Sequence, residues 1–173
     1  MTTKQLVLGL AATLLVTGCA TREPMPFPVA KDCYFLACSI DVEIVEDGSG
    51  GKKLKVEADG NVRMGTRHRL VAIIWNLRTP GYEFRGDSIR PHSGRSPENK
   101  AVTNLGEWEQ QILPHGYWYD SYSVTNRNTE RITLSYDLTV YPSYGTPGAP
   151  VSRKSAIAND AFQGRDHGWL MMR

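Results

Sequence analysis

The chain predicts an all-β fold, an antiparallel β-sandwich of about seven to eight strands over residues 39–141. Three observations carry this expectation. Runs of period-two alternation recur through the middle of the chain. The cleanest sets Ile132, Leu134, Tyr136, Leu138 and Val140 against Arg131, Thr133, Ser135, Asp137 and Thr139. Clusters of Gly, Pro, Asn and Asp separate the runs. No stretch of the mature chain has a convincing amphipathic helical period.

Taken in order, Ile40, Val42 and Ile44 fall on one face and Asp41 and Glu43 on the other, the pattern of a half-buried strand. Asp47-Gly48-Ser49-Gly50-Gly51 interrupts it with residues that tolerate positive φ. Leu54 and Val56 alternate with Lys53, Lys55 and Glu57 in a second strand. Asp59-Gly60 then reads as a two-residue hairpin turn, with a return strand beginning over residues 61–64. Residues 67–77 place Leu70, Ala72 and Ile74 on one face and Val71, Ile73 and Trp75 on the other, which predicts a central strand covered on both sides.

Thr79-Pro80-Gly81 ends that strand, and residues 86–103, with Pro91, Gly94 and Pro97, read as a long functional or mobile loop. A strand is predicted over 107–113, turned by Pro114-His115-Gly116. Residues 117–125 are then expected to pair with 131–141 across the loop Asn126-Arg127-Asn128-Thr129. A one-residue slip of that last strand exposes its whole apolar set, so its register is fixed. Prolines and glycines fill residues 142–150, and the remainder is small or polar, which predicts a flexible C-terminal tail over 142–173.

The N-terminus has a different character. Lys4 precedes an uncharged run, residues 6–16, that closes on Leu15-Val16-Thr17-Gly18-Cys19. A basic start, a short apolar core and small residues at its end are the layout of a secretory signal peptide. The run is too short to span roughly 30 Å of hydrocarbon as a helix. Val16-Thr17-Gly18-Cys19 resembles the lipobox of bacterial lipoproteins. That resemblance implies removal of residues 1–18 and lipidation of Cys19 by a diacylglyceryl group and an N-acyl chain. Two or more acyl chains give stable membrane attachment where one would be marginal. In that family an aspartate after the cysteine favours retention at the inner membrane; Ala20 here implies the outer membrane, with the protein facing the periplasm.

Pro24, Pro26 and Pro28 make the following stretch extended, so residues 19–38 are expected to form the lipidated tether. In the oxidising envelope that the resemblance implies, Cys33 and Cys38 are candidates for a disulfide, the alternative being two buried free thiols.

Residues 73–77 (Ile-Ile-Trp-Asn-Leu) through Tyr82-Glu83-Phe84, with the closing Tyr-rich hairpin, are loosely similar to cupredoxin-like and immunoglobulin-like sandwiches. A blue-copper site needs two histidines, a cysteine and an axial ligand near the last strand. Residues 131–141 contain no cysteine, and Met171-Met172 lie in the expected tail. His68, His92, His115 and His167 lack the spacing of a zinc site, so no metal or cofactor is expected. Gly86-Asp87-Ser88-Ile89 resembles the Gly-Asp-Ser block of a large lipase/esterase family. That family implies a serine near the mature N-terminus, an α/β scaffold and an Asp-x-x-His pair; here the block is mid-chain and Asp166-His167 are adjacent. No other grouping supplies a nucleophile, a base and an orienting group, and the chain is expected to be non-catalytic.

Net charge is +2 at pH 7, one less without Lys4, which argues against a nucleic-acid partner. Charge is nevertheless uneven. Residues 63–100 hold Arg63, Arg67, Arg69, Arg78, Arg85, Arg90, Arg95 and Lys100 against three acids, either a basic rim for anionic envelope polymers or an ordinary solvated face. Aromatic residues concentrate at Trp108, Tyr117, Trp118, Tyr119 and Tyr122. Strict alternation turns Trp118 and Tyr122 inward and leaves Tyr117 and Tyr119 exposed. Tyr117, Tyr119, Arg85, Arg90 and Arg95 are therefore the candidate contacts. The expected function is a lipid-anchored accessory or binding subunit of an envelope protein assembly. The alternative is a module that binds peptidoglycan or another polysaccharide.

Overall fold

The computed structural model describes residues 29–92 and 105–161. Cys19, Arg95 and the expected signal peptide lie outside the described residues. The order of elements is β1 (Lys31–Cys33), β2 (Ala37–Glu46), β3 (Lys52–Val56), a 3-10 turn (Glu57–Gly60), β4 (Val62–Met64), β5 (Val71–Leu77), β6 (Tyr82–Glu83), β7 (Ile89–Pro91), α1 (Leu105–Gln111), β8 (Ile112–Trp118), β9 (Ser121–Asn126), β10 (Thr133–Pro142) and β11 (Val151–Asn159). One sheet runs β1-β4-β11-β10-β6, with β7 also on β10; the other runs β3-β2-β5-β9-β8.

Alternation places the core as expected along β2 and β10, whereas β5, expected to be covered on both faces, buries only Val71, Ile73, Trp75 and Leu77 and leaves Ala72, Ile74 and Asn76 half-buried on its other face. Ile40 and Val42, then Ile73 and Trp75, fill the inner face of the five-stranded sheet, and Leu134, Tyr136, Leu138 and Val140 fill that of the other. The two faces meet where the Trp75 ring packs edge-on against Tyr136, with centroids 5.5 Å apart. Burial leaves the Tyr136 hydroxyl no water, and the fold supplies its partners. It donates to the Gly60 carbonyl at 2.6 Å and accepts from Trp75 Nε1 at 3.2 Å.

The sheets are mixed rather than antiparallel. β1 with β4, β4 with β11, and β2 with β5 are parallel pairs. The cause lies at residues 57–60, where the sequence suggested a hairpin. Ala58, Asp59 and Gly60 all take positive φ, and a side chain at Gly60 would collide with Ser155. The chain turns a corner there and passes from β3 in one sheet to β4 in the other, as strands do at the edges of packed sheets. It thereby completes one descent split between two sheets. β5 starts from the same end as β2 and must run parallel to it.

Four further expectations are corrected. The tether does not extend to residue 38: Lys31–Cys33 already pairs with Val62–Met64. The expected tail contains β11, which lies between β4 and β10 near the middle of its sheet. Val151, Ala156, Ile157 and Ala158 are buried, and their small volumes gave too weak an apolar pattern to read as a strand. Residues 107–113 are not one strand, because Leu105–Gln111 is helical. Leu, Glu and Gln favour that state, and Trp108 and Gln111, three apart, share its buried face. Residues 86–103 are not wholly irregular: β7 pairs with β10 from Ile89↔Leu138 to Pro91↔Tyr136.

β9 and β10 are likewise not a hairpin. β9 pairs with β5 and β8, and residues 127–132 cross to the other sheet. Pro114 and Gly116 do not end a strand; β8 continues through them as an irregular edge, where a proline costs no ladder bond.

Cys33 and Cys38 form a disulfide with Cα atoms 5.5 Å apart. It ties β1 in one sheet to β2 in the other. Replacing both cysteines with serine should lower stability by about 2 kcal/mol, the loop-closure value for so short a ring. A shift of the urea midpoint measures this, and an unchanged midpoint would contradict it.

Candidate binding groove

β5 and β8 run toward one end of the molecule, and β9 and the last residues of β10 meet them there. The β8–β9 hairpin turns at this end through Tyr119 and Asp120, with Trp118 opposite Ser121 and Tyr117 opposite Tyr122. Its tip is fixed by the backbone. Leu77 N–H donates to the Asp120 carbonyl at 2.8 Å, and Phe84 N–H to the Tyr119 carbonyl at 2.9 Å.

That register decides which rings face water. Opposed residues share a face, so Tyr117 lies with Tyr122, the two rings stacked with centroids 6.1 Å apart and planes 13° from parallel. Trp118 goes to the other face. It is 75% exposed, Tyr119 76% and Tyr117 52%, while Tyr122 is buried. The expectation that Trp118 points inward is therefore corrected. It treated residues 117–125 as one uninterrupted strand, whereas the turn at 119–120 resets the alternation. Tyr122 also hydrogen-bonds the Gly86 carbonyl at 3.1 Å. A side chain at Gly86 would press on the Tyr117 ring at 3.3 Å, so the ring lies close against this backbone.

Tyr117, Trp118 and Tyr119 line a groove of about 570 Å³ with Glu83, Phe84 and Arg85. Arg85 is held from three sides. Its Nε donates to Glu83 Oε1 at 2.9 Å, a terminal nitrogen to the Pro142 carbonyl at 3.2 Å, and its guanidinium lies 4.7 Å from the Tyr141 ring centroid. The cation–π contact and these two hydrogen bonds pre-orient the side chain rather than leave it to sample solvent. Beyond it, Arg90 pairs with Asp87.

Of the sequence candidates, Tyr117, Tyr119 and Arg85 come together at this groove. Arg90 lies next to it through its pairing with Asp87, and Arg95 is outside the described residues. The wider basic stretch does not form one rim. Arg63 neighbours Asp32 at 3.5 Å on the β1–β4 pair, Arg78 pairs with Asp41 at 2.8 Å, and Arg67 and Arg69 lie beyond the opposite ends of the strands. Sequence reasoning missed Trp118, Glu83 and Phe84. The dipeptide Tyr119-Asp120 between two alternating runs was the signal available for the first.

Ser88 is fully buried. Its hydroxyl accepts the Arg85 N–H at 2.8 Å, closing the turn before β7. His92 Nδ1 lies 3.0 Å from Asp137.

Burial and neighbouring charge act on the tyrosines here. Burial raises the Tyr122 hydroxyl above its ordinary value, helped by Asp87 and Tyr117. Burial, then a hydrogen bond with Asp87, raises Tyr141. Tyr136 in the core is raised chiefly by burial. A phenol whose folded pKa is raised keeps its proton while the unfolded chain ionises. The contribution is therefore intact below about pH 10 and lost as pH rises past it. Ultraviolet titration should show tyrosinate lagging behind free tyrosine, with the last step coinciding with alkaline unfolding. A single unshifted transition for all eight tyrosines contradicts this.

No protein-family model matches the chain, and no curated protein matches it in sequence. Among the described residues no helix is long and apolar enough to cross a membrane.

Proposed function

We propose that this chain is a lipid-anchored, non-catalytic β-sandwich of a bacterial cell envelope, serving as a binding or accessory subunit of an envelope protein assembly. The two sheets, closed on one core, act as a rigid mount. The observation that carries the reading is the set of three exposed aromatic rings on a hairpin tip fixed by β5 and Phe84, beside an oriented arginine. Trp, Tyr and Arg dominate the energetics of protein interfaces; Trp and Tyr bury a large area at small entropic cost, and Arg85 is already held by its neighbours. Isolated exposed aromatics are common, but three lining one groove concentrate large side chains at one end of the molecule.

The polysaccharide reading has one specific observation in its favour. The same rings border Glu83 and Arg85, and rings flanked by hydrogen-bonding groups suit a sugar chain as well as a peptide. In-cell crosslinking of the tagged protein separates the two readings. Recovery of a reproducible protein partner supports the subunit. Recovery of cell-wall fragments alone, lost when Tyr117 and Tyr119 are both replaced by alanine, supports the glycan module.

The anchor rests on the Val16-Thr17-Gly18-Cys19 match. Cys19→Ala should release the protein from membranes and abolish incorporation of labelled fatty acid. A variant that still sediments with membranes, together with an unlabelled wild type, would remove the anchor from the account.

A further inference from the structure

The end of the molecule opposite the groove carries a second exposed apolar feature. β1 and β2 are joined through Tyr34-Phe35-Leu36, and the Cys33–Cys38 disulfide closes the base of this turn. Phe35 is 76% and Leu36 66% exposed. Leu70, also exposed, lies alongside, because the next strand is hydrogen-bonded here: Ala72 N–H donates to the Leu36 carbonyl at 2.8 Å. The turn cannot fold its apolar residues back onto the core. The disulfide spans its base, and the Tyr34 ring lies so close to Gly65 that a side chain there would collide with it.

The adjoining loop, residues 65–70, is held from the core side. The buried Asn128 amide donates to the carbonyls of Gly65 at 2.9 Å and His68 at 3.1 Å. This loop, which meets the apolar turn where Gly65 lies against the Tyr34 ring, carries Arg67 and Arg69, both exposed. Neither residues 34–37 nor residues 65–70 include an acid. Glu130 lines a shallow groove with Arg69 and Arg127, and the Asp160 N–H donates to the Met64 carbonyl at 3.3 Å at the start of the loop.

We propose that this end docks on a lipid surface. Phe35, Leu36 and Leu70 enter the boundary between headgroups and acyl chains, while Arg67 and Arg69 meet anionic headgroup phosphates. Exposed apolar side chains held rigidly and flanked by arginines match the two-part chemistry of an anionic bilayer interface. Arginine stems cover apolar surface while their heads remain in the polar layer. A protein partner would satisfy the apolar tip, but the paired cationic flank is the complement of phosphate. The chain path agrees. β1 enters the turn only two residues after Lys31, and the twelve residues from Cys19 to Lys31 reach about 43 Å at most. Docking at this end turns Trp118 and Tyr119 away from the bilayer. The proposal adds to the Cys19 anchor and stands without it.

The test uses the processed full chain purified from cells, mixed with vesicles of phosphatidylcholine alone or of phosphatidylcholine with phosphatidylglycerol. Hydrogen exchange should slow about tenfold at residues 34–37 and 67–70 with the anionic vesicles, with no slowing at 117–120. The slowing should vanish in F35S/L36S, whose side chains are exposed and whose unfolding midpoint should match the parent. Equal exchange with both vesicles overturns the proposal and leaves the apolar tip to a protein partner. If the purified chain proves to carry no lipid, the anchor fails, and flotation of the soluble protein then reads docking directly. Flotation with anionic vesicles that is lost in F35S/L36S upholds it, and no flotation overturns it.

Discussion

A chain ending at Tyr141 should not fold. β11 lies between β4 and β10, paired to β10 over eight residues from Thr133↔Ala158 to Val140↔Val151 and to β4 over three more. Its removal strips those ladder bonds from both neighbours and uncovers Leu134, Tyr136 and Leu138 along β10. It also removes the buried side chains of Val151, Ala156, Ile157 and Ala158. Ser155, which receives the 57–60 corner by donating to the Asp59 carbonyl at 3.0 Å, goes with it. So does Arg153, which holds Asp59 at 2.6 Å. These losses are expected to outweigh a whole-domain stability of about 5–15 kcal/mol. Far-ultraviolet circular dichroism and a urea titration measure it. The full chain should unfold in one cooperative transition, and the truncated chain should show none. A cooperative transition in the truncated chain would mean that β11 is dispensable.

Replacing Trp118 and Tyr119 together with alanine should reduce binding of the envelope partner about 100-fold or more while leaving the fold intact. Both side chains are largely exposed, so their removal opens no cavity. Each is expected to contribute about 2 kcal/mol when buried at the centre of an interface, and such contributions do not add simply. Arg85→Ala should cost less, because Glu83 and the Pro142 carbonyl already satisfy part of its guanidinium. Affinity is read by titration of the purified partner, and stability of each variant by its urea midpoint. A loss in affinity that tracks a loss in stability would refute a direct contact role.

The parts of this fold legible in the sequence are those in which large side chains alternate. β10 and β5 each bury a full inner set of Leu, Val, Ile, Trp or Tyr, and no other arrangement of those residues fits a strand. β11 was not legible, because Ser155, Ala156 and Ala158 contribute burial without the bulk that makes a pattern. The corner at Ala58-Asp59-Gly60 was legible as a turn but not as a passage between sheets. Positive φ is required by both, and only packing against Ser155 distinguishes them. The parallel pairing of β2 with β5 follows from that corner and was hidden with it.

The groove was legible in part for the same reason. Tyr117 and Tyr119 stood out by composition, but the inward or outward sense of Trp118 depends on where the hairpin turns. Arg85 was one of eight basic residues in its stretch, and it is the contact with Tyr141 that sets it apart. The amide cluster at the other end was not foreseen at all. Asn126 and Asn159 hydrogen-bond at 2.6 Å, Gln111 bonds Thr129, and all three amides are buried. Polar residues scattered over three elements and the 127–132 loop carry no periodic signal, and only the fold shows that each of these finds a partner.

Taken together, the two ends divide the work of the proposed protein. In that proposal the Phe35–Leu36 end and Cys19 would face the lipid, and the Trp118–Tyr119 end would face a partner. The most direct test of the second half is site-specific photo-crosslinking in cells. A photoreactive residue in place of Tyr119 should give an adduct with one envelope protein, and the same residue in place of Lys55, on the outer part of β3, should give none. The Tyr119 adduct should disappear when Trp118 is also changed to alanine. Equal adducts from both positions, or persistence of the Tyr119 adduct without Trp118, would contradict the groove as the binding surface.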